Sequence, residues 1–171
     1  MMEAISKSSD RLEKMQVPQI IGCLVADKDG KTLLKFEAFE GALNRHLENE
    51  KHSDVELIPM FVSAMAKMSN HFNFQELVSL DVKSANLTMT VFFLKQYLIT
   101  FLSKVGVKVN NMEVREFFTQ FFQKHDGVFT KYFQRGIILE EKALNREGNH
   151  WVKALNDAST SSRSACEMSY L

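Results

Sequence analysis

Glu76 to Ser103 reads ELVSLDVKSANLTMTVFFLKQYLITFLS, and this stretch decides the fold of the 171-residue chain. Its first part alternates between apolar and polar residues, with Val78, Leu80 and Val82 on one side. A period of two indicates a strand that buries one face. Ser84-Ala85-Asn86 follows and is typical of a turn, because Asn tolerates the left-handed region and Ser bonds to nearby backbone.

Two further apolar runs complete the stretch. Leu87 to Leu94 is rich in Thr, Val and Phe, which favour strands. Only Lys95 and Gln96 separate it from the run Tyr97 to Leu102. A connection of that length joins antiparallel strands, so the stretch predicts a three-stranded meander.

A hairpin is predicted upstream of the meander. Ile20 to Ala26 is apolar at nearly every position, as expected for a central strand covered on both faces. Asp27 to Lys31 is typical of a hairpin loop in which Gly30 takes a positive φ. The chain returns as a second strand from Thr32 to Phe36, and a polar connector over 38–53 follows.

Three helices are predicted around these strands. The first spans residues 2–15. The second spans 54–72, with Pro59 required to lie in its first turn. The third runs from Met112 to Gln134, capped by Asn110 or Asn111 and followed by a stop at Gly136.

The helix over 54–72 has an unusually wide apolar arc. The apolar residues fill about half of its circumference, more than the roughly 100° stripe that covers one sheet. A second apolar side in a domain with one sheet needs another cover, and a partner subunit is the economical one. Methionine suits adaptable contact surfaces, and this helix contains Met60, Met65 and Met68.

Composition limits the class of protein. Lys and Arg number 21, as do Asp and Glu, so the net charge is zero and no overall field attracts nucleic acid. The only cysteines are Cys23 and Cys166, which predicts free thiols and a cytoplasmic location. No run approaches the roughly 18 apolar residues of a membrane span, so we expect no integral membrane segment.

The sequence carries no catalytic motif that we recognise, and we expect neither an enzyme nor a cofactor. A phosphate-binding loop, a dinucleotide-binding GxGxxG and a GxSxG elbow are absent from it. The five histidines are scattered without metal-ligand spacing. Asp27, Asp29 and Gly30 weakly resemble a calcium loop but lack its distal Glu, so a hairpin turn is the better interpretation.

The order of elements resembles the roadblock/longin superfamily of small GTPase-associated domains. The resemblance covers roughly residues 3–134. It rests on the opening hairpin IIGCLVADKDG (20–30), the helix LIPMFVSAM (57–65) and the turn LKQYLITF (94–101). It implies an α+β fold with one five-stranded antiparallel sheet of order 2-1-5-4-3 between helices.

The resemblance also implies function. Such domains usually dimerise, through the middle helix or through sheet edges, and serve as non-catalytic adaptors for small GTPases in trafficking or signalling complexes. We therefore predict a homo- or heterodimer that reaches membranes only through its partners. The predicted partner-binding residues lie on the middle helix and on both sheet edges: Ile58, Phe61, Val62, Met65, Thr32, Leu34, Val78 and Leu80.

The predicted domain spans 1–136, with a C-terminal extension over 137–156 that has helical potential and a tail over 157–171 too polar to order itself. One alternative function is a small-molecule sensor of PAS- or profilin-like shape, with a pocket between the sheet and the Phe-rich helix. It requires an apolar cavity of about 300 Å³ or more. A metal-dependent enzyme is the third and weakest hypothesis.

Overall fold

The computed structural model describes residues 18–47, 54–72 and 77–168. Five strands form one sheet, and they are β1 (Ile20–Asp27), β2 (Thr32–Glu37), β3 (Ser79–Lys83), β4 (Leu87–Leu94) and β5 (Tyr97–Lys104). Their order is β2-β1-β5-β4-β3, with every neighbouring pair antiparallel. The predicted fold class and strand order are thus confirmed. The helix predicted over 2–15 lies outside the described residues.

Helices cover both faces of this sheet. They are α1 (Ala42–Leu47), α2 (Leu57–His71), α3 (Asn111–Lys124), α4 (Asp126–Arg135) and α5 (Glu141–Met168), with a 3-10 turn (Asp54–Glu56) before α2. α1, the 3-10 turn and α2 pack on one face, and α3, α4 and α5 pack on the other. Strand β1 lies between these two layers of helices and is buried along its length up to Asp27, as its continuous apolar run predicted.

The β1–β2 loop has the predicted turn chemistry. Asp27 Oδ1 accepts hydrogen bonds from the backbone N–H groups of Asp29 and Lys31, both at 3.0 Å. Gly30 has a φ of +85°, and a Cβ there would lie 2.7 Å from the Pro59 carbonyl oxygen. Glycine is therefore required for two reasons, because the backbone is left-handed and because the loop touches the start of α2. Pro59 is the third residue of α2, inside the first turn.

Aromatic rings fill the layer between the sheet and α3. Phe36 on β2 stacks parallel to Phe118 at 6.0 Å between ring centroids and meets Phe121 edge-on at 5.7 Å. All three rings are buried. Asn110 begins α3 as predicted, because its side chain accepts hydrogen bonds from the N–H groups of Met112 and Glu113.

Two features of the C-terminal half differ from the prediction. The single helix expected over Met112 to Gln134 breaks at His125, where the backbone leaves helical geometry between α3 and α4. Gly127 follows closely, and glycine is a weak helix former. Gly136 does end α4, with a φ of +73°.

The second difference is the C-terminal extension. It is one helix, α5, that continues to Met168 and so includes most of the segment expected to lack order. Leu144 and Val152 of α5 are buried in the main core, so the extension belongs to the domain and does not follow it as an appendage. Packing against the core stabilises the first half of α5. Once that half is helical, each further residue of the polar second half adds one backbone hydrogen bond, so the helix continues.

Candidate interaction surface

The three sides of α2 have different environments. Val62, Pro59 and Ser63 face inward and are buried. A polar flank is tied to the β1–β2 hairpin by an ion pair from Lys67 to Asp29 at 3.0 Å. Glu56, in the 3-10 turn before the helix, pairs with Lys35 of β2 at 3.3 Å. The remaining flank is apolar and exposed, and it consists of Leu57, Phe61 and Met68, continued by Phe72 just after the helix.

Strand β3 extends this apolar surface on the same side of the sheet. Val78, Leu80 and Val82 pair with Phe93, Val91 and Met89 of β4, whose side chains pack beneath α2. Val78 is 54% exposed and Val82 is 39% exposed, because α2 reaches only part of the way across. We call the exposed set Leu57, Phe61, Met68, Phe72, Val78 and Val82 the α2–β3 face.

The hydrogen bonds between β3 and β4 determine which backbone groups of β3 lie on its outer edge. Ser84 N–H donates to the Leu87 carbonyl at 2.9 Å, and Phe93 N–H donates to the Val78 carbonyl at 3.2 Å. In an antiparallel pair, alternate residues bond across the ladder. Ser79, Asp81 and Lys83 therefore turn their N–H and C=O groups away from β4. Within the described part of the chain, β3 is the last strand on this side of the sheet.

The structure separates the predicted partner-binding residues into three groups. Phe61 and Val78 are exposed, as a contact role requires. Ile58, Met65, Thr32 and Leu80 are half-buried. Val62 and Leu34 are buried in the core and are not available to a partner, so their inclusion was wrong. The reason is that an apolar arc gives no information on which of its residues the sheet covers.

The β2 edge was predicted to be open between Thr32 and Phe36, and this was also wrong. Helix α5 lies along it. Asn145 Oδ1 accepts a hydrogen bond from Lys35 N–H at 3.0 Å, and Asn149 Oδ1 accepts one from Glu37 N–H at 2.7 Å. The spacing of Asn145, Asn149 and Asn156 places them on one helix face, which was the only sequence signal of this contact.

The titratable groups have structural roles. Asp27 Oδ2 accepts a hydrogen bond from the Tyr132 hydroxyl at 2.6 Å, and burial, followed by this bond, raises the pKa of Tyr132. Burial also raises the pKa of the Cys23 thiol well above its ordinary value, which makes it unreactive. No cluster of three His, Cys, Asp or Glu side chains suited to a metal ion occurs among the described residues.

His125 directly follows the last residue of α3, where its ring meets the Phe121 ring edge-on, and it contacts α5. Its Nε2 atom lies 2.8 Å from Glu147 Oε2, and Lys124 Nζ lies 3.0 Å from Glu147 Oε1. Burial acts to raise the pKa of Glu147, but the hydrogen bonds and charges of these two neighbours outweigh it and lower the pKa. The cluster joins the end of α3 to α5.

The sensor hypothesis requires a cavity in the Phe-rich layer. Rings in mutual contact occupy that layer, as described above for Phe36, Phe118 and Phe121. A cavity beside the first turn of α3, between Val109 and Leu155, has a volume of about 210 Å³. That volume is below the roughly 300 Å³ at which small-molecule sites begin. Two larger cavities, of about 410 and 480 Å³, lie beside the β1–β2 loop at Lys28 and Asp29, outside the layer of packed rings. No helix in the described residues is long and apolar enough to cross a membrane.

Comparison with known proteins gives structural similarity only. Neither a protein-family model nor a curated protein matches the chain. The chain is similar to the gliding protein MglB from Thermus thermophilus, with a TM-score of 0.40 and 13% identity over 57% of this chain and 70% of that one. It is similar to a Roadblock/LC7 domain from Streptomyces avermitilis, with a TM-score of 0.40 and 11% identity over 54% of this chain and 72% of that one.

A third similar structure is Myxococcus xanthus MglB, with a TM-score of 0.41 and 12% identity over 72% of this chain and 89% of that one. At these values the similarities concern the fold and carry no argument about function. The strand order and the placement of α2 between β2 and β3 are features of this chain itself. These are the features that the resemblance to roadblock/longin domains implies.

Proposed function

We propose that this protein is a non-catalytic, cytoplasmic adaptor that dimerises through the α2–β3 face and binds a small GTPase or a trafficking or signalling complex. The observation that carries the proposal is the exposure of large apolar side chains on one flank of α2, where Phe61 is 56% exposed and Met68 is 57% exposed. Contiguous apolar surface that remains exposed in a folded domain marks an interaction site.

The β3 edge supports pairing with a second copy of the chain. Two β3 strands can meet antiparallel about a two-fold axis at Leu80, because the outward groups of Ser79 and Asp81 then bond to each other across the axis. In that register Leu80 faces its own copy and Val78 faces Val82 on the α2 side. The pairing would therefore bring apolar side chains into contact, and it would also give hydrogen-bond partners to the outward backbone groups of Ser79 and Asp81.

The GTPase part of the proposal comes from the resemblance to roadblock/longin domains. Its test is affinity purification from the native host with the wild-type chain, followed by mass spectrometry. The expected result is enrichment of a small GTPase with the wild-type protein and its loss when the dimer is disrupted. Recovery of other complexes without any GTPase would contradict this part of the proposal.

Dimerisation is tested by light scattering at tens of micromolar with two matched variants. Met68→Lys places a charge on the α2–β3 face, whereas Met112→Lys makes the same change at an 81% exposed position on α3. We expect wild type and Met112→Lys at twice the 19.6 kDa chain mass, and Met68→Lys at the monomer mass. A monomeric wild type, or a dimer that both variants leave intact, would refute pairing through this face.

A further inference from the structure

The spacing of two asparagines on α5 matches the spacing of the two backbone N–H groups of β2 that they cap by hydrogen bonds. The capped residues Lys35 and Glu37 are two apart on the strand, which is about 6.8 Å. The capping residues Asn145 and Asn149 are four apart on the helix, which is about 6 Å. A helix that runs along a strand edge can therefore meet successive outward N–H groups with successive turns, as the bonds of 3.0 and 2.7 Å show.

The same helix face continues past the end of β2. Asn156 Oδ1 accepts a hydrogen bond from Ile20 N–H at 2.8 Å, and its Nδ2 donates to the Ile20 carbonyl at 2.9 Å. Ile20 begins β1, beyond the last paired residue of β2. Three asparagines of α5 thus cap the backbone along this side of the sheet, although asparagine is a poor helix former.

The helix is held in place by the core. Leu144 and Val152 are buried, and the indole of Trp151 stacks on the Phe117 ring at 3.9 Å between centroids. Gly148 lies directly over the Phe36 ring, where any larger residue would collide with it. The asparagines are therefore presented to β2 by a docked helix and not by a loosely attached segment.

The two edges of the sheet consequently differ. Alternate residues of β3 turn their backbone groups away from β4, while two N–H groups of β2 are bonded to α5. Strand edges with unpaired groups are templates for further pairing, and a sheet with two such edges can add copies at both ends. A sheet with one closed edge can pair only once, and a two-fold contact then completes the assembly.

We propose that α5 is a built-in edge cap that closes β2 and so limits strand-to-strand assembly to two copies joined at β3. The β3 half of this proposal rests on the proposed function, whereas the closure of β2 stands on its own contacts. The partner excluded by the cap is a strand of a second copy at the β2 edge.

The test uses two double variants with side chains of similar size. Asn145→Leu with Asn149→Leu removes both acceptor oxygens, and Asn145→Asp with Asn149→Asp keeps an acceptor at each position. Amide hydrogen exchange is read at Lys35 and Glu37, and mass is measured by light scattering over a range of concentrations. Far-UV circular dichroism and Trp151 emission report whether α5 remains docked.

We expect the Leu double variant to exchange about two- to tenfold faster at these two amides, the range given by a typical net hydrogen bond. We also expect it to form species larger than the wild-type assembly as concentration rises, whereas the Asp double variant behaves as wild type. Unchanged exchange in the Leu variant would overturn the cap, and faster exchange without larger species would overturn its role in assembly.

Two further cases are also decided by measurement. If the Leu double variant does not fold, Asn149→Leu alone is measured, with Glu37 as the affected amide and Lys35 as the internal control. If the wild type proves monomeric, pairing at β3 has failed. The role of the cap in assembly is then supported only if the Leu variant dimerises where the wild type does not, and that role is overturned if both stay monomeric.

Discussion

Gly148→Ala is the sharpest test of how α5 docks. A Cβ at position 148 would lie 2.1 Å from Cδ1 of Phe36, whereas ordinary contact begins at 3.4 Å. The Phe36 ring is buried and is held by Phe118 and Phe121, so it has no free space to enter. The helix must instead move away from β2 by roughly 1 Å or more, which weakens every contact along it.

The magnitude follows from three contributions. Overpacking costs about 1–3 kcal/mol. Weakening the bonds of Asn145 and Asn149 to β2 costs about 0.5–1.5 kcal/mol each. Replacing a mid-helix glycine with alanine contributes about 1 kcal/mol in the opposite direction. We therefore expect Gly148→Ala to lower the free energy of unfolding by about 1–5 kcal/mol, because the clash and the weakened bonds exceed the gain in helix propensity.

The assay is urea unfolding followed by circular dichroism and by the emission of Trp151, the only tryptophan. Gly127→Ala in α4 is the matched control, because a Cβ there meets nothing within 4 Å. The control should raise the unfolding free energy by about 0.4–1 kcal/mol, because alanine reduces the conformational entropy of the unfolded chain. The two variants should therefore differ in sign. A Gly148→Ala protein as stable as wild type, with unchanged Trp151 emission, would refute the docking described here.

Three other outcomes can be checked. Asn110→Ala should lower the unfolding free energy by about 1 kcal/mol through loss of the α3 cap, measured by urea unfolding. Tyr132→Phe removes the bond to Asp27 and should cost about 1–2 kcal/mol in the same assay. The lowered pKa of Glu147 implies stability that is present above about pH 4.3, its unfolded-state value, and is lost as the pH falls further. Glu147→Gln should therefore be less stable at neutral pH, and its melting temperature should change less with acid pH than that of the wild type. An unchanged dependence of the melting temperature on acid pH would show that the contacts of Glu147 with Lys124 and His125 contribute nothing.

Local chemistry made much of the fold predictable. The hairpin loop at Asp27 to Lys31, the cap at Asn110 and the stop at Gly136 each depend on the residue and its immediate neighbours. Alternation of apolar and polar residues along a strand likewise indicates that one face of the strand is buried, although it does not identify the element that covers this face. These signals act over a few residues, so a sequence displays them directly.

The candidate site was only partly predictable. The wide apolar arc of α2 predicted a surface for a second protein, and Phe61 is exposed on it. The same arc could not show that Val62 faces the sheet, because periodicity gives the width of a stripe and not its orientation. The polar residues of α5 concealed its docking, since its contacts with β2 use asparagine oxygens and a glycine instead of a broad apolar stripe.

The amino-acid sequence by itself determined where the strands and turns, the start of α3 and the end of α4 lie, because those depend on backbone preferences and side chains within one or two turns. Only the tertiary structure decided which surfaces stay open. Lys35 and Asn145 are 110 residues apart in the chain and bond at 3.0 Å in the fold. Closure of the β2 edge depends on such a long-range pairing, and so does the exposure of the opposite edge at β3.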